Sequence, residues 1–350
     1  MESFSLKLSR LLKIYNIPLE ENWTDIMPDK YTVYKYWLNL GLINNDEFQT
    51  LFPHKEITVN NRIVRFFKNF DYHFNPRFYH NGLVADVGSG FGFITFWLLL
   101  SDAKYVYTIG DPLRIGFIQK LYERAVELKL VDAEKISFKP SFIKVGDVSL
   151  SENIKNDTLA LVLLHDTLEH ITPRIFPWLV KSSYNNLKPG GMFISLSHNS
   201  DSPAVQKSLQ LVWDESEKNV FINQRLKIIK EKIKDISEPD AQKLAKHTRG
   251  LDSIDFFNAL EKYKNEKIFP NHNLNVPPID VQLDIPEEGD TGIERITSEF
   301  LKNNFKSVKV YPEMMGSRRS RYLQFISRMF PDLFLKHHIF DQGTVFVVIK

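Results

Sequence analysis

One segment of this sequence constrains the fold more than any other: an apolar strand that runs into a glycine-rich turn and then a helix. The strand and the turn read Val84-Ala85-Asp86-Val87-Gly88-Ser89-Gly90-Phe91-Gly92. Glycine has no Cβ and tolerates positive φ, so such a turn lets the backbone approach a ligand closely. A helix starting near Phe93 would direct its free N–H groups and positive dipole end at the same point. The segment predicts a site for a nucleotide-like or carboxylate-bearing ligand.

The spacing of the glycines bears on which ligand is expected. Dinucleotide-binding turns carry a third glycine that lets the helix pack closely on the strand, and Phe93 stands at that position here. Asp86 also places a carboxylate at the strand end, which disfavours a pyrophosphate and favours an ammonium group. A nicotinamide oxidoreductase is therefore a disfavoured alternative.

Four further strand-like runs follow, and each ends in polar or glycine residues. The run 105–110 ends at Asp111-Pro112, 142–145 at Gly146-Asp147-Val148, 159–164 at His165-Asp166, and 192–197 at His198. A carboxylate at the tip of the second strand is well placed to accept both hydroxyls of a ribose. The helical segments between the runs imply a parallel sheet that is covered on both faces.

These five segments, in this order, resemble those of the class I S-adenosylmethionine-dependent methyltransferases of the small-molecule branch. The glycine turn resembles the first motif of that family, and Asp111 its acidic ribose position. The runs 166–171 (Asp-Thr-Leu-Glu-His-Ile) and 187–191 (Leu-Lys-Pro-Gly-Gly) resemble its fourth- and fifth-strand regions. The resemblance covers residues 83–197 well and the C-terminal part loosely. It implies an α/β fold with a Rossmann-like sheet, helices on both of its faces and S-adenosyl-L-methionine as cofactor.

The resemblance also implies which residues hold the cofactor. The predicted cofactor-binding residues are Asp86, Gly88, Ser89, Gly90, Gly92, Asp111, Pro112, Asp147, Val148 and His165. Several have a simpler explanation beside this one. Asp86 could hydrogen-bond backbone N–H groups of the turn, Asp111 could cap the following helix, and Asp147 could only close a turn.

Three histidines are the candidate catalytic residues. His165 and His198 end the fourth and fifth strands, where open α/β sheets face their ligands, and His170 lies a turn beyond His165. A histidine titrates near neutrality and can accept a proton from a hydroxyl or an amine. A structural role is the better explanation for His170, because the Leu-Glu-His-Ile run occurs in family members with unrelated substrates.

Composition limits the other classes of protein. The 350 residues carry a net charge of +2, which argues against an obligatory nucleic-acid binder. The absence of cysteine excludes disulfides and thiol nucleophiles. No apolar run approaches the ~20 residues of a membrane span, and the N-terminus lacks the pattern of a signal peptide, so a cytoplasmic location is expected. No metal is expected, since no ligand spacing indicates one.

The chain divides into three zones. We expect a mostly helical N-terminal extension over 1–80, a cofactor-binding core over 81–199 and 291–350, and a helical insert over 200–290. The insert should hold helices near 203–236, 239–248 and 253–267, and the cations of His247-Thr248-Arg249-Gly250 fit a helix C-terminus. Placed after the fifth strand, the insert would cap the cofactor site, exclude water and shape the acceptor pocket. A dimer contact is the alternative role.

The sequence thus predicts a methyltransferase that moves a methyl group to an O or N atom of a small polar acceptor, such as a sugar or a specialised metabolite. A methyltransferase of RNA or protein and an inactive scaffold subunit with this fold are the alternatives. The intact glycine turn and Asp111 speak against the scaffold. The predicted partner is a small-molecule acceptor. Binding to a membrane is not expected, binding to nucleic acid is disfavoured, and a homodimer is left open.

Overall fold

The computed structural model of the protein describes residues 4–15, 31–32, 58–59, 79–140, 154–271, 274–282, 285–287, 289, 291–313, 329, 331, 335 and 343–350. Its strands are β1 (Tyr31–Thr32), β2 (Thr58–Val59), β3 (Leu83–Val87), β4 (Tyr105–Gly110), β5 (Ile136–Pro140), β6 (Leu159–His165), β7 (Leu187–His198), β8 (Ile279–Asp280), β9 (Ile285–Pro286), β10 (Ser307–Glu313) and β11 (Gly343–Ile349). Seven of these strands form one sheet, and the other four form two small two-stranded sheets.

The seven-stranded sheet has the order β10-β11-β7-β6-β3-β4-β5. The five strands from β3 to β7 pair with one another in parallel, whereas β11 is antiparallel to both β7 and β10. The chain runs outward from β3 to β5 and then returns to the other side of β3 with β6. Ligands of open α/β sheets bind outside the carboxyl ends of the strands at such a reversal, so this order places a crevice at the ends of β3 and β6.

The helices are α1 (Phe4–Ile14), α2 (Phe93–Leu100), α3 (Pro112–Glu127), α4 (Phe176–Asn186), α5 (Pro203–Ser216), α6 (Ile222–Lys232), α7 (Glu238–His247), α8 (Ser253–Glu266) and α9 (Ile293–Lys302). Helices α1, α2 and α3 pack on one face of the sheet, and α4 and α9 pack on the other. Strand β6 is apolar almost throughout because it is buried on both faces, as parallel strands covered by helices are. The expected Rossmann-like sheet with helices on both faces is confirmed.

Helix α1 is part of the core on the first face of the sheet. Leu11 and Leu12 are fully buried in the same apolar cluster as the side chains of α2. Lys7 is also buried, with its Nζ atom 4.4 Å from the centre of the Trp97 ring and 3.1 Å from Ser101 Oγ. The ring face and the hydroxyl replace the water that this ammonium group gives up.

The insert after β7 has an apolar cluster of its own. This cluster consists of Ile228, Ile229, Ile233, Ala241, Leu244, Ala245, Phe256, Leu260, Tyr263 and Val281. Helices α5 and α6 are joined through a π-helical turn, Glu217–Phe221, so the first predicted helix is interrupted and ends at Lys232 rather than near 236. The other two helices of the insert lie close to their predicted bounds. Within the described part of the chain, no helix is both long and apolar enough to cross a membrane.

The third strand of the sheet lies upstream of its predicted position. The strand that pairs with β4 is β5, Ile136–Pro140, whereas the sequence favoured the run ending at Gly146-Asp147. Residues 142–148, with the predicted site residues Asp147 and Val148, lie outside the described residues. Of the N-terminal extension over 1–80, expected to be mostly helical, the structure describes α1 and the two short strands β1 and β2.

Truncation of a buried leucine in α1 tests whether this helix belongs to the cooperative core. Leu11→Ala should lower the free energy of unfolding by about 2–5 kcal/mol, because it removes buried methyl groups and leaves a cavity. Leu6→Ala on the same helix is the control: its side chain is 51% exposed, and the expected loss is only about 0.5 kcal/mol. Urea denaturation followed by circular dichroism measures both. Equal small effects would show that α1 is a detachable extension.

Candidate functional site

The glycine turn is held in place by the neighbouring strand β4. The backbone N–H groups of Gly88 and Ser89 both donate to the carbonyl oxygen of Ile109, at 2.8 and 3.1 Å. The N–H of Gly92 donates back to the carbonyl of Ser89 at 2.8 Å, which closes the turn just before α2. The turn therefore has a shape fixed by its own backbone and by β4.

Two of the glycines are needed for different reasons. Gly88 has φ +74°, and a Cβ there would lie 2.2 Å from Thr167 Oγ1, so its missing side chain lets the turn pack against the residues after β6. Gly90 has φ +52°, and no atom of the described residues lies within 4 Å of the place where its Cβ would be. Apart from its chain neighbours, Gly90 thus borders open space within the described part of the chain, where a ligand could reach the backbone without meeting a side chain.

Asp86 lies directly beneath the turn and is buried. Its Oδ2 atom accepts a 2.6 Å hydrogen bond from the hydroxyl of Thr95 on α2, and that hydroxyl lies 3.3 Å from Thr108 Oγ1 on β4. Burial raises the pKa of Asp86 to about 6, against the opposing effect of its hydrogen bonds with Thr95. Thr95, which hydrogen-bonds Asp86, belongs to α2 and not to the glycine turn whose backbone N–H groups the simpler explanation invoked.

Tyr15 holds the turn from the side of α1 and was missed by the sequence analysis. Its hydroxyl donates to the carbonyl of Phe91 at 2.7 Å, and its ring stacks on Phe93 with the ring centroids 4.1 Å apart. Burial, and then the nearby charge of Asp86, raise the pKa of Tyr15 well above its usual value, so it stays a hydroxyl donor. The only sequence signal was the abundance of aromatic residues near the N-terminus.

Asp111 and Ser89 both lie at the tip of β4. Asp111 Oδ1 accepts a 3.2 Å hydrogen bond from the N–H of Arg114, so the carboxylate caps the first turn of α3, which begins at Pro112. Ser89 is buried, and its Oγ atom has no hydrogen-bond partner among the described residues. A buried hydroxyl of this kind is costly unless something hydrogen-bonds to it, which marks this corner as a place for a polar ligand.

His165 ends β6 and points its Nδ1 atom at Asp166, 3.3 Å from Oδ2. Asp166 has φ +45°, a conformation that aspartate tolerates better than most residues, and its N–H donates to the carbonyl of Leu196 at 3.0 Å. The turn after β6 is thereby tied to β7. The side chain of His165 is half-buried at the carboxyl edge of the sheet, close to the turn that carries Gly88.

A buried glutamate lies between the other two candidate histidines, and the sequence analysis gave it no role. Glu169 accepts a 2.8 Å hydrogen bond from Ser197 Oγ on β7. Burial, followed by the charge of Asp166, raises its pKa to about 7, although the charges of His170 and His198 act in the opposite direction. The signal for it was its place in the Leu-Glu-His-Ile run, where only the histidine drew attention.

Both histidines hold the segment by which the insert returns to the core, 285–291. His170 Nδ1 lies 3.1 Å from the carbonyl oxygen of Pro286, and His198 Nε2 lies 3.2 Å from that of Gly289. The carbonyl of His198 accepts from Thr291 Oγ1 at 2.7 Å, and the carbonyl of Glu169 accepts from the Gly289 N–H at 2.5 Å. A ring nitrogen that bonds a carbonyl must carry the hydrogen, so neutral His198 can accept a proton only at Nδ1.

The structural explanation of His170 therefore has a concrete form: it positions the returning segment. His165, His170 and His198 are brought to one edge of the sheet, as predicted, together with Glu169. Among the described residues, no group of three or more histidine or acidic side chains is arranged to hold a metal ion.

No protein-family model and no curated protein matches this sequence. Solved structures that match include a SAM-dependent methyltransferase from Archaeoglobus fulgidus (12% identity, 82% of this chain and 94% of that chain, TM-score 0.40). Another is an S-adenosylmethionine-dependent methyltransferase from Mesorhizobium loti (11% identity, 78% of this chain and 92% of that chain, TM-score 0.38). A third is phosphoethanolamine N-methyltransferase 2 of Haemonchus contortus in complex with S-adenosyl-L-methionine (11%, 91% and 60%, TM-score 0.40). At this low similarity we base the fold on the strand order of the sheet.

The raised pKa of Glu169 predicts a specific pH dependence of stability. Between its ordinary pKa of 4.5 and the folded value of about 7, the unfolded chain releases the proton first, so stability falls as pH rises. Relative to Glu169→Gln, the free energy of unfolding of the wild type should fall by roughly 3 kcal/mol across this range. Urea denaturation at a series of pH values measures the difference.

The matched control is Glu261→Gln, at an exposed position of α8, which should leave the pH profile of the wild type unchanged. Wild-type and Glu169→Gln profiles that run parallel from pH 4.5 to 7 would contradict the assignment. Asp86 is present in both proteins, so its own titration cancels in the comparison.

Proposed function

We propose that this protein is an S-adenosylmethionine-dependent methyltransferase that acts on a small polar acceptor at an O or N atom. One observation carries the proposal: the glycine turn, Asp111 and His165 follow three parallel strands whose carboxyl ends meet where the strand order reverses. Open α/β sheets bind their ligands at this position. The spacing of the glycines, with Phe93 as the residue after the third, still disfavours a nicotinamide dinucleotide.

The residues present fit the proposed cofactor. Gly90 offers backbone beside open space, Ser89 offers a buried hydroxyl with no partner among the described residues, and Asp111 offers a carboxylate at the tip of the second strand for the ribose hydroxyls. Gly88 and Gly92 shape the turn. In our proposal Asp86 serves the amino group of the cofactor from beneath the turn, and Asp147 and Val148 the adenine.

S-Adenosylmethionine supplies a methyl group already activated on a sulfonium, so the protein has mainly to position the acceptor and exclude water. Positioning of this kind can contribute on the order of 7–11 kcal/mol. His165 and His198 are the candidate acceptors of the proton released by a hydroxyl or amine, His198 through Nδ1. His170 positions the segment 285–291 beside them.

In our proposal the insert over 200–290 caps the site, between the core segments 81–199 and 291–350, and the extension over 1–80 forms another wall. The insert leaves and rejoins the core at one place: Ser200 Oγ accepts from the Thr291 N–H at 3.0 Å, and Asp201 Oδ2 from the Ile293 N–H at 2.8 Å. Arg174, just before α4, pairs with Asp252 and Asp255 of the insert at 2.9 and 3.0 Å. A cap anchored in this way favours a discrete small molecule over a polymer.

Calorimetric titration with S-adenosylmethionine, S-adenosylhomocysteine and NAD in parallel tests the proposal. We expect micromolar binding of the two methyl-cycle compounds and none of NAD. If neither S-adenosylmethionine nor S-adenosylhomocysteine binds, the proposed function is overturned and the scaffold alternative is favoured. Binding of NAD alone would indicate an oxidoreductase.

Asp111 gives the first mutational test. Asp111→Ala should weaken S-adenosylhomocysteine binding by about tenfold or more, since a charged hydrogen-bond acceptor for the ribose is lost. Asp111→Asn retains the helix cap but not the charge, and so separates loss of the ligand contact from loss of stability. Asp132→Ala, which removes a highly exposed carboxylate paired with Lys135, should bind as the wild type does. Unchanged affinity in both Asp111 variants would remove the ribose assignment.

Tyr15 gives the second test. Tyr15→Phe keeps the ring stacked on Phe93 but removes the hydrogen bond to the Phe91 carbonyl. We expect a loss of about 0.5–1.5 kcal/mol in unfolding free energy together with weaker S-adenosylhomocysteine binding. Calorimetry and urea denaturation on the same samples give both quantities. A loss of stability with unchanged affinity would show that Tyr15 supports the fold and not the shape of the turn.

A further inference from the structure

Two arginines are buried inside the insert, away from the glycine turn. The side chain of Arg225 on α6 is 0% exposed, and that of Arg249, in the turn after α7, is 3% exposed. The sequence explained Arg249 as one of the cations at a helix C-terminus. Its side chain instead turns inward and donates from Nε to the carbonyl of Val276 at 3.0 Å.

Each arginine has partners for only part of its guanidinium group. Arg225 donates from Nε to the carbonyl of Ala245 at 3.0 Å and from Nη2 to Glu217 Oε1. Arg249 donates from Nη1 to Asp214 Oδ1 at 3.0 Å. Among the described residues, Arg225 Nη1 and Arg249 Nη2 have no hydrogen-bond partner, although both are buried. Two buried charged donors are thus left for something else to satisfy.

The described residues around the two buried guanidinium groups include one largely buried carboxylate and one exposed carboxylate. Glu217 is 13% exposed, but Asp214 is 55% exposed and so has its charge screened by water. Among the described residues, one buried cation therefore has no buried anion to match it. The pKa of Arg225 is lowered by burial and also by the charge of Arg249, against the opposing effect of Glu217, so the two guanidinium groups lie close enough to repel each other.

A buried acceptor accompanies the two donors. Glu217 Oε2 has no hydrogen-bond partner among the described residues, and Glu217 opens the π-helical turn between α5 and α6. Single π-helical turns inside α-helices are frequent at functional sites. The cluster therefore offers two unpartnered donors that suit an anion and one unpartnered acceptor that suits a hydroxyl group.

The cluster is connected to the edge of the candidate active site. Ser216, next to Glu217, donates from Oγ to Glu287 Oε1 at 3.2 Å. Glu287 directly follows Pro286, whose carbonyl contacts His170. The π-helical turn that carries Glu217 is thereby linked to the segment that contacts His170.

We propose that Arg225 and Arg249 bind an oxyanion group of the methyl acceptor, a phosphate or a carboxylate, while Glu217 accepts a hydrogen bond from a neighbouring hydroxyl of the same molecule. The inference rests on the proposed function and narrows its acceptor to anionic polyols, such as phosphorylated sugars or sugar acids. Arg225 Nη1 and Arg249 Nη2 would each donate to the oxyanion, and guanidinium donors suit both phosphate and carboxylate.

Titration calorimetry at constant ionic strength tests this, with inorganic phosphate, glycerol 3-phosphate and glycerate as the probes. We expect saturable binding by the wild type, and tighter binding of glycerol 3-phosphate or glycerate than of inorganic phosphate, because these two carry a hydroxyl beside the anionic group. Comparison of glycerol 3-phosphate with glycerate shows whether the site prefers phosphate or carboxylate. Arg249→Gln should weaken binding by about tenfold or more, the loss of a charge-assisted hydrogen bond. Lys230→Gln, which removes an exposed cation of α6 that pairs with Glu238, is the control and should bind within about twofold of the wild type.

S-Adenosylhomocysteine binding is measured on the same variants and should be unchanged. This measurement separates failure of the proposed methyltransferase function from failure of the anion site. If the proposed function is wrong, the wild type will not bind S-adenosylhomocysteine. The anion site would be overturned by absence of saturable binding of every probe to the wild type, or by equal affinities of the Arg249 and Lys230 variants. If Arg249→Gln does not fold, Arg249→Lys, which keeps the charge but loses the second donor nitrogen, is used in its place with the same expected direction.

Discussion

The carbonyl oxygen of Ile109, which accepts two successive N–H groups of the glycine turn, is the interaction on which the candidate site depends. It joins the tips of β3 and β4 and sets the direction in which the chain leaves β3. Thr167 fills the space beside Gly88 from the β6 side, so three neighbouring strands define one turn. Because this shape is imposed by the sheet, Gly90 can border open space with little ordering left for a ligand to supply.

The sheet could be predicted from the sequence to the extent that each strand carries its own local signal. Strand β6 is apolar almost throughout, which a strand buried on both faces requires. Strand β5 gives a much weaker signal, since Ile136-Ser137-Phe138-Lys139-Pro140 alternates apolar and polar residues and ends in proline. That is the pattern of an edge strand, and β5 lies at the edge of the sheet. The more apolar run after it therefore attracted the prediction.

The candidate site could be predicted where a residue's role follows from its place at a strand end. Asp111 and His165 are of this kind, and both lie at the carboxyl edge of the sheet. Tyr15 and Glu169 are not, because their partners lie 76 and 28 residues away along the chain, at Phe91 and Ser197. A hydrogen bond between residues far apart in the sequence produces no periodicity or spacing that a single sequence could reveal.

The candidate site contains two buried carboxyl groups that lower the stability of the fold when they ionise. These are Asp86 under the turn and Glu169 between the histidines, and burial raises the pKa of both. Ionised carboxyls in such places destabilise the fold, and groups that are held against stability concentrate where binding or catalysis needs them. Glu169 bears on the cap directly, because its carbonyl holds Gly289 while its side chain lies near His198. Glu169 therefore links the segment beside His198 to strand β7 through both its backbone and its side chain.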